Sequence, residues 1–521
     1  MAKVPKISQV ILLTLLLIGV YARFVDLNWH FTHVDDIGVA RNILNEKLKL
    51  SPGLWIVPQN TTYAPFQFLM TPWLISLSQD YRELLFWGRL PSCLFGIGGL
   101  VVLLHFYQNW QGPQTPKIFL ALGLLTCSWG NIIVAKMMHN YALGVLAAIL
   151  LLMVYVHHLK GEDYSLRRMI LTGFLLAFLA TLQYSLLFFF PGFGLGLLSY
   201  AWPRSAHRWV LCRNFLLGGL VLALAFFPIW YFFLKAYTGA GITYWNAGLH
   251  NEFRFMLTEG MSLGDKIFYS IRFFTQNFFI ILKAHTAFLP EGHPIGEFFS
   301  RLFLILFFLG ALSFLGTPDR TKRSLGVFFL SVLITWGLLV VLKKLTFSPT
   351  RHTLILLPLL VIIISEGFGL LFDIGKKFMD HPLWETVHRW GQMGFALTLL
   401  ILFTFHFPQF LKERRDPFKE DEIMAVLKNL KVDSLMVAEW TTQVQVMKGI
   451  RDYYHYTNPD TGPYALISDG PQTYQRVAWI SHRLPLSPLA FELARLRINR
   501  YFEERQPKMP LKEISHGVIR N

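Results

Sequence analysis

Eleven runs of apolar residues punctuate this chain, each close to or above the roughly 18 residues an α-helix needs to cross a bilayer. They lie near 8–25, 86–107, 117–133, 141–158, 169–184, 186–202, 213–234, 300–315, 325–342, 353–372 and 391–407. Such runs leave few options, because every backbone polar group inside hydrocarbon needs an internal partner. Composition agrees. Hydrophobic residues make up 53% of the chain and charged ones 15%, against about 25% charged in a typical soluble protein. The expected fold is an all-α polytopic membrane protein with about 11 transmembrane helices. The first run has no small-residue cleavage site after it and reads as a retained helix.

The formal net charge is +16. In a soluble chain that would suggest a nucleic-acid partner. Here the Lys and Arg residues flank the apolar runs, where they face anionic headgroups, and no nucleic-acid signature is present. With the N-terminus in the cytoplasm, the loops "HHLKGEDYSLRR", "PRSAHRWVLCRN", "TPDRTKRS" and "DIGKKFMDHPLWETVHR" fall inside, and all are basic. The segment 64–79, "PFQFLMTPWLISL" with Pro72 in it, then reads as an interfacial or re-entrant helix. The three cysteines are scattered and form neither a disulfide framework nor a metal cluster.

On this topology the outer side carries two large loops, 26–85 and 235–299, and everything after residue 408. Residues 1–407 form a transmembrane domain. Residues 408–521 alternate short strand-like runs ("SLMVAEW", "PYALIS") with helical patterns at 419–430 and 488–504, as expected of a small α/β domain outside the membrane. Residues 408–420 read as the linker.

The densest chemical signal is "HFTHVDDIGVARNIL", residues 30–44. Asp35 suits an N-cap and Asp36 a first helical turn, where negative charge meets the helix dipole. Val34, Ile37, Leu44 and Leu48 recur at helical spacing, so the helix would lie on the membrane surface. One carboxylate suffices for a cap. A second beside it is disfavoured by like-charge repulsion unless a cation or a proton-accepting role compensates.

In order, "VDDIGVARNIL", "GLWIVPQNTTYAPFQFLMTPWLISL" and "WGRLPSCLFGIGGLVVLLHFY" follow the first apolar run. This order resembles the GT-C superfamily of integral-membrane glycosyltransferases, in particular the protein O-mannosyltransferase and lipid A aminoarabinose transferase group. The resemblance covers residues 1–160 and returns more weakly at "SPTRHTLILLPLLVII". The chain departs from the pattern in having Asp-Asp where Asp-Glu is frequent, "TTYAPF" before the interfacial helix, and "AKMMHNYALG" after the third span.

The resemblance implies a sugar donor on a polyprenyl phosphate and an acceptor that is a lipid, an envelope glycan or a protein. It makes Asp35 the candidate general base and Asp36 its partner. A phosphate at the outer interface calls for cations, preferably an Arg that grips two oxygens. Arg351, at the mouth of a span, is the first candidate. Lys136 is the second, in a turn with His139 and Asn140, and Tyr63 joins the substrate-binding candidates. Lys343, Lys344 and Arg272 also fall outside, the two lysines reading as interfacial anchors. A divalent cation is possible chemistry here, but one acidic pair does not make a metal site. Trp245, His250, Glu252, Glu291 and His293 in the second loop read first as loop packing. The bacterial inner membrane is the expected location. Two alternatives remain open at this point: a ligase moving a whole glycan from a lipid pyrophosphate, and a transporter or flippase.

Overall fold

A computed structural model describes residues 6–28, 81–112, 115–231, 261–290, 292–341, 353–378 and 384–415, and five strands beyond them. Asp35, Asp36, Tyr63, Arg351, Lys343 and Lys344 lie outside the described residues, as do Trp245, His250, Glu252, Glu291 and the interfacial segment 64–79.

The described helices, in chain order, begin with α1 (Lys6–Phe24), α2 (Tyr81–Gln111), α3 (Lys117–Cys127), α4 (Trp129–Ala135) and α5 (Tyr141–Gly161). α6 (Leu166–Leu182), α7 (Phe190–Ala201), α8 (Arg208–Ile229) and α9 (Leu263–Thr286) follow. The last four are α10 (Pro294–Leu315), α11 (Arg320–Val341), α12 (Leu357–Phe378) and α13 (Trp384–Arg415). Among the described residues nine helical segments are long and apolar enough to cross a membrane, and ten if α3 and α4, bent by 57°, count as one broken span. α6, with 17 residues, accounts for the remaining expected run. The protein is an integral membrane protein built on a helical bundle.

Two boundaries differ from expectation. Residues 235–299, read from sequence as a loop, contain the 24-residue α9. Its charged residues, among them Asp265, Arg272 and Lys283, dilute the hydropathy, while Phe273, Ile281 and Leu282 are buried. Ser262 caps it, its hydroxyl accepting from the Asp265 backbone N–H at 3.1 Å. The last helix, α13, runs to Arg415 with Pro408 inside it, so helix continues into the stretch read as a linker.

The bundle is held at points where backbones approach closely. α10 and α12 cross with Gly310 against the Ile363 carbonyl and Gly367 against the Leu306 carbonyl, a contact with no room for a Cβ on either side. α6 packs on α8 and α7 on α11. At one end of the bundle Glu366 of α12 is fully buried, 2.7 Å from Lys117 Nζ and 2.8 Å from Lys322 Nζ. Gln111 donates to its other oxygen.

The chain divides into two compact units, one of residues 1–25, 48–70 and 90–408, the other of residues 26–47, 71–89 and 409–521. The second holds a five-stranded sheet of order β2-β1-β3-β5-β4. Its strands are β1 (Ser434–Val437), β2 (Ala465–Leu466), β3 (Val477–Ile480), β4 (Leu511–Ile514) and β5 (Gly517–Arg520). β1 pairs in parallel with β2 and β3, and the β3–β5 and β4–β5 pairs are antiparallel. β1 and β2 fall in the strand-like runs "SLMVAEW" and "PYALIS".

Candidate active site

The broken span formed by α3 and α4 leads directly into the candidates Lys136, His139 and Asn140. A helix that breaks inside a bundle exposes carbonyls and N–H groups that hydrocarbon cannot satisfy. Ser128 sits at the break. Its hydroxyl accepts from the Asn131 N–H at 3.2 Å, capping α4, and donates to the His285 carbonyl at 2.7 Å. The Trp129 N–H donates to the Ala287 carbonyl at 2.9 Å. The freed Leu125 carbonyl accepts from Asn131 Nδ2 at 3.1 Å and from Arg23 Nη2 at 3.0 Å. His285, buried at the end of α9, reaches Thr353 Oγ1 at 2.9 Å through Nε2. Two distant segments, the end of α1 and the end of α9, therefore close one helix break.

Arg23 was not singled out from sequence, because it falls at the end of the first apolar run, where a cation usually marks the interface. The structure buries it completely, with Nη1 on the Gly19 carbonyl at 2.9 Å and no partner at Nε.

α4 leads into the turn 136–140, which brings three of the candidates together. Lys136 is fully buried and its Nζ donates to the Val25 carbonyl at 2.6 Å. His139 stacks on Tyr141 with ring centroids 4.0 Å apart, and its Nδ1 accepts from the Asn140 N–H at 2.9 Å. The Ser92 hydroxyl fixes the turn through the His139 carbonyl at 2.7 Å. Asn140 Nδ2 donates to Gln183 Oε1 at 2.6 Å, while its own Oδ1 is buried without a partner. In this structure the turn is therefore a buried polar cluster anchored on protein groups.

The remaining candidates are placed elsewhere. Arg272 is exposed on α9. His293 caps α10, its Nδ1 accepting from the Ile295 N–H at 3.3 Å, with its ring 4.9 Å from that of His406. Among the described residues no group of three or more His, Cys, Asp or Glu side chains is arranged to hold a metal ion.

The fold of the chain is that of a solved membrane protein over nearly its whole length. The similarity is to ArnT from Cupriavidus metallidurans, in a crystal structure with undecaprenyl phosphate bound. The two align at a TM-score of 0.56 and 11% identity, covering 99% of this chain and 98% of that one. The apo structure of the same protein aligns at a TM-score of 0.53 and 12% identity, with the same coverage. No protein-family model matches the sequence, and no curated protein matches it.

Proposed function

We propose that this protein is a membrane glycosyltransferase that moves one sugar from a polyprenyl-phosphate donor to a hydroxyl on the non-cytoplasmic side. The observation that carries the reading is the end-to-end likeness of fold to ArnT, the lipid A aminoarabinose transferase, which was crystallised with undecaprenyl phosphate. The ordered motifs of residues 1–160 support it from the sequence side.

In this reading Asp35 takes the proton of the acceptor hydroxyl as its oxygen bonds the anomeric carbon. The bond from that carbon to the phosphate oxygen breaks, and the electron pair leaves with the polyprenyl phosphate. Asp36 orients the acceptor. Arg351 binds the phosphate through two oxygens, and Lys136 adds an ammonium. Tyr63, His139 and Asn140 line the sugar side, the buried and unpartnered Asn140 Oδ1 being an acceptor for a sugar hydroxyl. The acceptor is a lipid, an envelope glycan or a protein. The protein sits in a bacterial inner membrane with its N-terminus cytoplasmic, and residues 408–521 form an α/β domain outside.

The test is label transfer from radiolabelled polyprenyl-phosphate sugars in membranes holding wild type or Asp35→Asn at matched expression. Labelled product from wild type, lost in the variant, supports the assignment. Equal labelling by both removes Asp35 from the chemistry.

A further inference from the structure

A cavity of about 620 Å³ lies between α2, α5 and α6, at the far end of α5 from the turn 136–140. At 1.5 Å of rise per residue, Asn140 and Lys160 are about 30 Å apart along α5, roughly one hydrocarbon thickness. The cavity therefore opens at the opposite membrane surface from the candidate active site.

Its walls are of two kinds. Leu150, Met153, Leu171, Leu175 and Phe178 form an apolar slot. Leu171 and Phe178 remain 58% and 54% exposed, so the slot opens sideways towards lipid. Cations gather at the mouth. Lys160 donates to the Asn109 carbonyl and keeps an exposed side chain. Arg168 lies 3.6 Å from Asp163, the carboxylate at this mouth, and reaches the His157 carbonyl at 3.4 Å. Glu162, next in the loop, is taken by Arg204. His105 and His157 complete the rim.

One buried group in the wall is unsatisfied. His158 is only 2% exposed, and its Nε2 lies 2.7 Å from Thr172 Oγ1. The Thr172 hydroxyl gives its one proton to the Arg168 carbonyl, 2.8 Å away. Nε2 must then be the donor to Thr172, which leaves His158 Nδ1 as an acceptor, and Nδ1 has no partner. A buried ring nitrogen in that state calls for a ligand that donates a hydrogen bond.

We propose that this cavity is a binding site for an anionic phospholipid with a hydroxylated headgroup. One acyl chain fills the slot, the phosphate meets Lys160 and Arg168, and a headgroup hydroxyl serves His158. A net-positive mouth above an apolar, laterally open slot matches an amphiphile with an anionic head.

Native mass spectrometry of the full-length protein, titrated with phosphatidylglycerol or phosphatidylcholine, tests this. Wild type retains one phosphatidylglycerol in preference to phosphatidylcholine. Lys160→Gln with Arg168→Gln weakens that retention about tenfold, the loss of charge-assisted contacts. Leu171→Trp with Leu175→Trp, substitutions at exposed positions that need no refolding of the core, blocks the slot and weakens it comparably. Equal retention of both lipids, or retention unchanged in both variants, overturns the proposal. So does displacement of the bound phosphatidylglycerol by a polyprenyl phosphate, which would make the slot part of the donor path.

Discussion

A guanidinium buried among helices is costly unless its donors are used, and Arg23 directs two of its five towards carbonyls that the bundle would otherwise strand. Arg23→Met leaves the Gly19 and Leu125 carbonyls with fewer donors, and about 1–3 kcal/mol of stability should be lost. Arg23→Lys should restore part of it, since an ammonium can reach one of the two carbonyls. Reversible unfolding in mixed micelles compares the three proteins. Glu366 presents the reverse case, a carboxylate between two ammonium groups. Glu366→Gln strands Lys117 against Lys322 and should cost about 3–5 kcal/mol. Replacing Glu366, Lys117 and Lys322 together by Met should cost less than the single change. If the triple variant is the less stable one, attraction rather than desolvation dominates the cluster.

Among elements, the crossing of α10 on α12 tolerates no side chain at Gly310 or Gly367. Gly310→Val should abolish monodisperse elution in detergent, whereas Gly194→Ala, with nothing within 4 Å of its new Cβ, should elute as wild type. Each of the eleven apolar runs falls largely on a described helix, because length and hydropathy are local properties that a bilayer reads directly. What hydropathy could not disclose is the break inside "KIFLALGLLTCSWGNIIVA". The run is apolar enough on average to read as one span, and its one local clue is Ser128 three residues before Asn131, a spacing suited to an N-cap. Helix α9 escaped for the opposite reason, its apolar face being masked by charges on the other. Lys136, His139 and Asn140 were legible as a polar turn between two spans. Their partners Val25 and Gln183, like Arg23 and His285, are joined to them only by the tertiary fold.

For the whole molecule, the basic loops argue for one orientation, which a labelling experiment can check. In a Cys212→Ser background, a cysteine at Asp163 should resist an impermeant maleimide in intact cells and react after the membrane is opened. The other two native thiols, Cys93 and Cys127, are buried and should stay silent. A cysteine introduced in the sheet of residues 434–520 should react from outside. Labelling at Asp163 in intact cells, with the sheet position protected, would reverse the topology and move the proposed phospholipid site to the outer leaflet.

The helix break at Ser128 also sets an order of events during synthesis. Its polar groups rest partly on the Ala287 and His285 carbonyls, about 160 residues downstream. When the ribosome has just released α3 and α4, those partners do not exist. Chains grow at about 5–20 residues per second, so the half-helices wait for roughly ten seconds or more before α9 arrives. Over that interval the segment must either remain a straight helix that bends later, or stay beside the insertion machinery until α9 docks. Assembly of the candidate active site is thus a late step, completed only after most of the bundle is in the membrane.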